Sequence, residues 1–199
     1  MSSATAAIAG AGTAGAFWAI AANAARQRRL TVGPFPYALL PLTSACAALA
    51  ANDNAQPAEI GALAGVAVAG WIDARTGFIF DRITALLMII AFVLCACAGS
   101  ALQALSGALA VGATLLLMHA LTGGRGLGLG DVKLGTAVAM ALGVASGFLA
   151  IGGAFVLGAA YGLWLLATKR AHAGSAIRFG PFIAAGTFIV VLSPWTHAR

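Results

Sequence analysis

Residues 126–135 read GLGLGDVKLG; they follow the long apolar run of residues 102–121 and include the start of the next, residues 132–146. Asp131 in this stretch is the only acidic residue after Asp81, in a chain of 199 residues of which 61% are hydrophobic and 8% are charged. A soluble domain has roughly a quarter of its residues charged. The composition therefore predicts an all-α polytopic membrane protein.

Apolar runs between polar residues predict about eight membrane spans, since a span takes about 20 apolar residues and somewhat fewer where the bilayer is thin. The sixth and seventh spans are separated at Ser146-Gly147. Together the spans form one membrane-embedded domain, residues 1–199. In chain order the predicted spans are Ala4–Ala25, Pro36–Ala51, Glu59–Ile72, Ile83–Gly99, Leu102–Leu121, Val132–Ser146, Phe148–Ala167 and Phe179–Pro194.

The basic residues lie almost entirely on one side of this arrangement when the N-terminus is placed outside. Loops rich in Lys and Arg face the cytoplasm, so this side is predicted to be cytoplasmic. Asp53 and Glu59 fall on the outer side, whereas Asp73, Asp81 and Asp131 fall at cytoplasmic span ends. The first apolar run is followed, not preceded, by its basic cluster, which is typical of a retained span. The basic residues on the cytoplasmic side are Arg26, Arg28, Arg29, Arg75, Arg82, Arg125, Lys133, Lys169, Arg170 and Arg178.

Asp73 ends an apolar run, just before Thr76-Gly77 breaks the helix. A carboxylate at membrane depth costs about 2.5–3.5 kcal/mol, so such residues usually face the interior of the helix bundle. One interpretation is structural: Asp73 pairs with Arg75 or Arg82 and anchors the helix end. The other interpretation is that Asp73 belongs to a functional site. The local sequence supports the two interpretations equally.

Gly128, Gly130, Asp131 and Lys133 form the second candidate site. Glycine allows the backbone to approach a substrate or another helix closely. Asp131 is also well placed as an N-cap of the helix that follows, which is the structural alternative. The stretch is not a phosphate-binding loop, because no Gly-Lys-Ser/Thr signature is present, and no strand–turn–helix context supports a dinucleotide site.

Two aspartates at one membrane face suggest a further possibility. Neighbouring carboxylates do not both ionise easily, so they share a proton and titrate as a pair. One then acts as a general base on water while the other, protonated, polarises a peptide carbonyl. This is the chemistry of an aspartic protease. The spacing leaves open whether Asp73 and Asp131 meet.

Four blocks, in order, resemble the type IV prepilin peptidases, which are membrane aspartic proteases of the GxGD group. Residues 128–134, GLGDVKL, are similar to the family's Gly-x-Gly-Asp signature. Residues 72–84 resemble its first aspartate motif, residues 177–182 resemble its C-terminal Pro-Phe-Gly-Pro-Phe block, and residues 15–23 loosely resemble its opening helix. The resemblance implies that Asp73 and Asp131 are the catalytic dyad. Asp81, Gly180 and Pro181 match motif positions without a catalytic role.

The same resemblance implies a substrate and a location. Family members cut the basic leader from type IV pilin-like precursors after a glycine, in the inner membrane. We expect a precursor protein and the lipid bilayer as partners, with Gly128 and Gly130 leaving room for the substrate backbone beside Asp131. Lys133 would tune the charge of the dyad or act as a basic topology signal.

Two departures from the family pattern argue against a second, methylating activity. The cytoplasmic loop between the first two spans shrinks to residues 26–34 and has no cysteine pairs, and Pro41 stands where the family has a glutamate associated with methylation. Phe80 also replaces an expected proline. The chain therefore resembles the compact members of the family.

A small transporter or membrane scaffold is the alternative function, because acids within the membrane also mark transport pathways. Transporters usually place them near the midplane and often contain inverted repeats. Neither feature is evident here. We expect no metal, nucleotide cofactor or nucleic-acid partner, since His119, His172 and His197 are widely separated and the basic residues are thinly spread.

Overall fold

The computed structural model of the chain describes residues 12, 14–20, 22, 23, 26, 56–170, 172, 174, 175 and 177–193. These residues form helices and connecting turns, with no strand among them. Residues 14–20 are helical, inside the first predicted span; the second predicted span and Asp53 lie outside the described residues. The helices that follow are α1 (Pro57–Thr76), α2 (Asp81–Cys97), α3 (Ala101–Leu121), α4 (Leu129–Ala167) and α5 (Gly180–Val191).

Helix α1 is enclosed along nearly its whole length, from Ala58 to Asp73. It begins at Pro57, and the carboxylate of Glu59 accepts the N–H of Gln56 at 2.9 Å. It ends at Gly77, whose left-handed backbone (φ 71°) lets its N–H bond the carbonyl of Asp73 at 2.8 Å. Because α1 lies at the centre of the bundle, Asp73 in its last turn is buried, whereas its neighbours Ala74 and Arg75 are exposed.

Helix α4 is a hairpin of two arms, residues 129–142 and residues 144–167, joined at Gly143. In a straight helix, residues eight apart are separated by about 12 Å along the axis and residues sixteen apart by about 24 Å. Here a Cβ built on Gly147 would lie 2.9 Å from the Cβ of Ala139, and one on Gly135 would lie 3.2 Å from Ile151 Cδ1. The two arms therefore pack side by side and antiparallel.

The predicted break at Ser146-Gly147 was wrong by a few residues, since the chain reverses at Gly143. Gly143 has φ 78° and ψ −174°, a conformation that essentially only glycine adopts. Gly147 lies in the second arm, where the missing side chain lets the first arm approach closely. The turn at Gly143 thus separates the apolar runs predicted as the sixth and seventh spans.

Gly143→Ala is expected to destabilise the protein by about 1–3 kcal/mol, since alanine is strained in this backbone conformation. The added Cβ would also lie 2.7 Å from Gln103 Nε2. Thermal unfolding in detergent micelles measures the effect as a lower midpoint. Gly152→Ala, in the second arm with no atom within 4 Å of the new Cβ, is the matched control. Equal midpoints for the two variants would contradict the role given to Gly143.

Among the residues that the structure describes, two helices, α3 and α4, are long and apolar enough to cross a membrane, and α5 is apolar but shorter. Large apolar side chains cover the outer surface of α3 and of the second arm of α4, where Leu102, Leu109 and Leu163 are 81%, 71% and 67% exposed. An apolar surface of this kind marks contact with lipid or a partner. The eight-span arrangement and its orientation remain predictions.

The antiparallel helices give the bundle two distinct ends. One end holds the end of α1, the start of α2, the α3–α4 loop, the end of α4 and the start of α5, and we call it the aspartate end. The opposite end has a cavity of about 410 Å³, whose lining includes Pro57, Leu94, Gln103 and Gly143. Every lysine and arginine between residues 56 and 193 lies at the aspartate end: Arg75, Arg82, Arg125, Lys133, Lys169, Arg170 and Arg178.

Candidate active site

Asp73 lies in the last turn of α1 and is only 5% exposed. Its carboxylate Oδ2 accepts the backbone N–H of Gly180, the first residue of α5, at 2.9 Å. A Cβ on Gly180 would lie 2.8 Å from Asp73 Cβ, closer than real Cβ atoms approach. Glycine at position 180 is therefore what allows the carboxylate to reach the helix start, where free amides favour negative charge.

Arg178, which lies just before α5, also connects the end of α1 to the start of α5. Its guanidinium donates a hydrogen bond to the carbonyl of Ala74, and its charge acts favourably on the carboxylate of Asp73. The sequence suggested Arg75 or Arg82 as partners of Asp73. In the structure Arg75 lies over the ring of Trp71, 4.7 Å from its centroid, and Arg178 is the arginine whose charge acts on Asp73.

Asp131 lies in the first turn of α4, and its Oδ2 accepts the N–H of Gly128 at 3.2 Å. Gly128 is the N-cap residue, since the helix begins at Leu129. The prediction that Asp131 is itself the N-cap was therefore wrong: the capping position lies three residues earlier. Its carboxylate still satisfies a free amide at the helix start, so the structural interpretation of Asp131 holds in this modified form.

The two aspartates, 58 positions apart in the sequence, lie close enough for the charge of Asp73 to act on Asp131. The contact between their two segments is direct. A Cβ on Gly130 would lie 3.1 Å from the Cβ of Ile79, in the loop that joins α1 to α2. The fold thus brings together the two segments that carry these carboxylates.

Lys133 binds Asp81 rather than either member of this pair. Its Nζ lies 2.7 Å from Asp81 Oδ1, in an ion pair that connects the start of α4 to the start of α2. The lysine and aspartate side chains are 45% and 76% exposed, so water screens the interaction. The ion pair gives Lys133 a role as a link between the segments that carry the two aspartates.

The space left by the missing side chains of Gly128 and Gly130 is filled by other residues of the protein. A Cβ on Gly128 would lie 3.1 Å from Asp131 Oδ2, and the space beside Gly130 is taken by Ile79. These contacts explain the two glycines without a substrate. Clearance for a substrate backbone remains a prediction. Pro181 lies in the first turn of α5, directly after Gly180, whose N–H donates to the Asp73 carboxylate.

His119 is a residue whose place in the site the sequence did not predict. Its Nδ1 lies 2.7 Å from the carbonyl oxygen of Leu127, which is buried, and its ring lies against Gly124. The histidine at the end of α3 therefore holds the glycine-rich loop that leads into Asp131. Among the described residues, no three side chains of His, Cys, Asp or Glu come together as metal ligands.

The arrangement suits acid–base chemistry on a neutral bond. Close carboxylates ionise one at a time, so one accepts a proton while the other donates one. Asp73 is buried and receives a hydrogen bond from Gly180, with the guanidinium of Arg178 bound to the neighbouring Ala74 carbonyl, whereas Asp131 is half-buried and receives its hydrogen bond from Gly128. The two carboxylates thus have different surroundings, which is how a pair of acids acquires two roles.

Comparison with known protein families finds one family whose model matches the segment that carries the two aspartates. The model of the type IV leader peptidase family matches residues 60–163, just over half of the chain, from α1 through most of α4. The matched segment contains both aspartates and the Asp81–Lys133 ion pair. No curated protein and no solved structure matches the chain. The match favours a peptidase over a transporter or scaffold, and the chain belongs to the type IV leader peptidase family.

Proposed function

We propose that this protein is an inner-membrane aspartic endopeptidase that removes the basic leader from type IV pilin-like precursors, cutting after a glycine. Asp73 and Asp131 form its catalytic dyad. The observation that carries the proposal is that two aspartates 58 positions apart lie at the same end of the bundle, in segments that touch where Gly130 meets Ile79. The family match supports a precursor protein as the substrate.

The proposed chemistry needs only water and the two carboxyl groups. The ionised carboxylate takes a proton from water as the water oxygen bonds to the carbonyl carbon of the substrate. The protonated carboxyl gives its proton to the carbonyl oxygen, which forms a neutral tetrahedral intermediate. When the carbon–nitrogen bond breaks, the departing nitrogen receives the proton taken from water. The other carboxylate, which gave its proton to the carbonyl oxygen, takes a proton back from a hydroxyl group of the intermediate as the carbonyl re-forms. The dyad is then ready for a second cycle.

The proposed orientation places the aspartate end in the cytoplasm and the N-terminus outside, with eight spans. The support is the gathering of basic residues at that end of the described bundle, because Lys and Arg are retained on the cytoplasmic side. A basic leader would then be cut at the cytoplasmic surface while the apolar segment of the precursor stays in the bilayer. We further propose that the enzyme does not methylate its product.

Co-expression with a pilin-like precursor tests the function. We expect wild-type protein to convert the precursor into a faster-migrating product, and mass spectrometry of that product to show a new, unmethylated N-terminus after the glycine. A precursor that stays full-length beside correctly inserted enzyme, across several candidate pilins, would contradict the proposal. A methylated product would contradict only the proposal that the enzyme does not methylate its product.

The Asp81–Lys133 ion pair is proposed to position the dyad, and exchange of its charges tests this role. Asp81→Lys is expected to lower the processing rate a few-fold, because exposed ion pairs contribute roughly 0.2–1 kcal/mol and like charges repel. Adding Lys133→Asp restores the attraction with reversed charges. We therefore expect the double variant to recover most of the rate, measured as conversion of precursor over time.

The informative comparison in that experiment is between Asp81→Lys and the double variant. A double variant no faster than Asp81→Lys would show that the two residues act separately. Asp81→Lys with Lys133→Arg keeps the repulsion and serves as the matched control. It is expected to remain as slow as Asp81→Lys alone.

A further inference from the structure

The peptide group between Leu127 and Gly128 is hydrogen-bonded on both sides. Its carbonyl oxygen, which belongs to Leu127, lies 2.7 Å from Nδ1 of His119. Its N–H, which belongs to Gly128, donates to Oδ2 of Asp131 at 3.2 Å. A peptide group is planar, and in the trans form its C=O and N–H point in opposite directions. A single peptide plane therefore connects the histidine at the end of α3 to the carboxylate of Asp131.

The chemistry of the contact determines which nitrogen of the ring carries hydrogen. A carbonyl oxygen only accepts hydrogen bonds, so Nδ1 of His119 is the donor. A hydrogen bond to the C=O of a peptide polarises it and makes the N–H of the same peptide a stronger donor. His119 thus acts on Asp131 in two ways, because it orients the plane that carries the Gly128 N–H and strengthens the bond from that N–H to the carboxylate.

The loop that carries this peptide is rich in the residue with the greatest backbone freedom. Residues 122–128 include four glycines, of which Gly123 and Gly124 have left-handed φ values of 57° and 75°. The ring of His119 packs against this turn, since a Cβ on Gly124 would lie 3.1 Å from its Cε1. The side chain of Leu127 is only 4% exposed, which fixes the position of that residue. The hydrogen bond from His119 then fixes the rotation of the peptide plane that follows.

We propose that His119 is a positioning residue of the peptidase, which holds the carboxylate of Asp131 in its catalytic place through the Leu127–Gly128 peptide. The inference rests on the proposed function. In this role the histidine acts through the peptide and not on the substrate. The glycine-rich loop then has its working conformation before a substrate binds.

Two substitutions of similar size test this role. The side-chain amide of asparagine places a donor close to where Nδ1 of histidine lies, whereas leucine has no donor. His119→Leu is expected to lower kcat by about tenfold or more, because displacement of a catalytic group by about 1 Å costs up to about 100-fold. Its KM is expected to change less than about twofold, since a lost transition-state interaction lowers kcat and leaves binding of the substrate unchanged. His119→Asn is expected to keep kcat within about threefold of wild type, because a neutral hydrogen bond replaces another.

Helix propensity predicts the opposite order for the two variants. Leucine forms helices better than asparagine, and residue 119 lies in the last turn of α3. A kcat for His119→Asn no higher than that for His119→Leu would therefore overturn the proposal, and so would an effect on KM alone. Thr114→Val is the matched control, since it removes a side-chain hydrogen bond that stays within α3, from Thr114 Oγ1 to the carbonyl of Ala110. It is expected to leave kcat unchanged.

The loop also gives a readout that needs no precursor. Arg125 is exposed within it, and trypsin cuts after an arginine when the surrounding chain opens locally. We expect His119→Leu to be cut at Arg125 about fivefold faster than wild type, since one hydrogen bond contributes about 1 kcal/mol and cutting follows the population of the open form. His119→Asn is expected to be cut at nearly the wild-type rate. Equal rates in all three proteins would overturn the proposal. Should His119→Leu fail to accumulate, His119→Ser, too short to reach Leu127, takes its place in both assays.

Failure of the proposed function gives a different pattern. If wild-type enzyme cuts no precursor, or if Asp131→Asn cuts precursors normally, the peptidase assignment of the dyad is wrong, and the catalytic role of His119 falls with it. If the dyad variants are inactive while His119→Leu keeps the kcat of wild type, only the positioning role of His119 is wrong.

Discussion

Asp73→Asn and Asp131→Asn are each expected to lower the rate of leader cleavage by at least about 100-fold, because an amide does not exchange protons in place of a carboxyl group. Asparagine is nearly the same size as aspartate, so the packing around buried Asp73 and the capping of Gly128 by residue 131 are largely kept. The measurement is the initial rate of precursor conversion by purified enzyme in detergent or liposomes.

Asp81→Asn is the matched control for both variants. Asp81 is the third acid at the aspartate end, yet it is 76% exposed and binds Lys133 rather than another carboxylate. Its loss is expected to slow cleavage at most a few-fold. Normal processing by either dyad variant, with the protein inserted at wild-type levels, would refute the dyad. An Asp81→Asn enzyme as inactive as the other two would show that the dyad is assigned to the wrong acids.

Gly180→Ala is expected to reduce cleavage by about 100-fold while the protein still inserts, since displacement of a catalytic group by about 1 Å has effects of this size. The new Cβ would lie 2.8 Å from Asp73 Cβ and 2.9 Å from its Oδ2. Either the carboxylate or the start of α5 must move, and in both cases the hydrogen bond from the residue 180 amide is lengthened. The rate of precursor conversion measures the displacement.

Gly153→Ala provides the comparison for this variant. Gly153 lies in the second arm of α4, and a Cβ there would meet only Gly186 Cα, at an ordinary distance of 3.9 Å. Its rate is expected to match that of wild type. If Gly180→Ala is equally active, the carboxylate of Asp73 does not depend on the start of α5 and the described geometry is not the working one.

The helical class and the two aspartates were predicted from local features of the chain. Apolar runs of about 20 residues predict helices, and polar residues between them predict the turns. The ends of the predicted spans from residue 59 to residue 121 fall within four residues of the ends of α1, α2 and α3. The helices and turns can be predicted in this way because each depends on residues that are neighbours in the sequence.

The break inside α4 shows where this local reasoning fails. Gly143, Gly147, Gly152 and Gly153 all lie within the predicted sixth and seventh spans or at the break between them, and the sequence does not indicate which of them takes a positive φ. Packing decides the question: Gly107 of α3 lies against the Gly143 backbone, and Gly147 lies against Ala139. Tertiary packing therefore determines that Gly143 forms the turn and that Gly147 forms the contact between the two arms.

The sequence by itself determined an all-helical, strongly apolar chain with three acids and most of its basic residues at one set of helix ends. Only the tertiary structure decided which of these groups interact. It paired Lys133 with Asp81 across 52 positions, and it brought the amide of Gly180 to Asp73 across 107 positions. Contacts this distant in sequence depend on how whole helices pack, and here the absence of a side chain at Gly180 and Gly130 sets that packing.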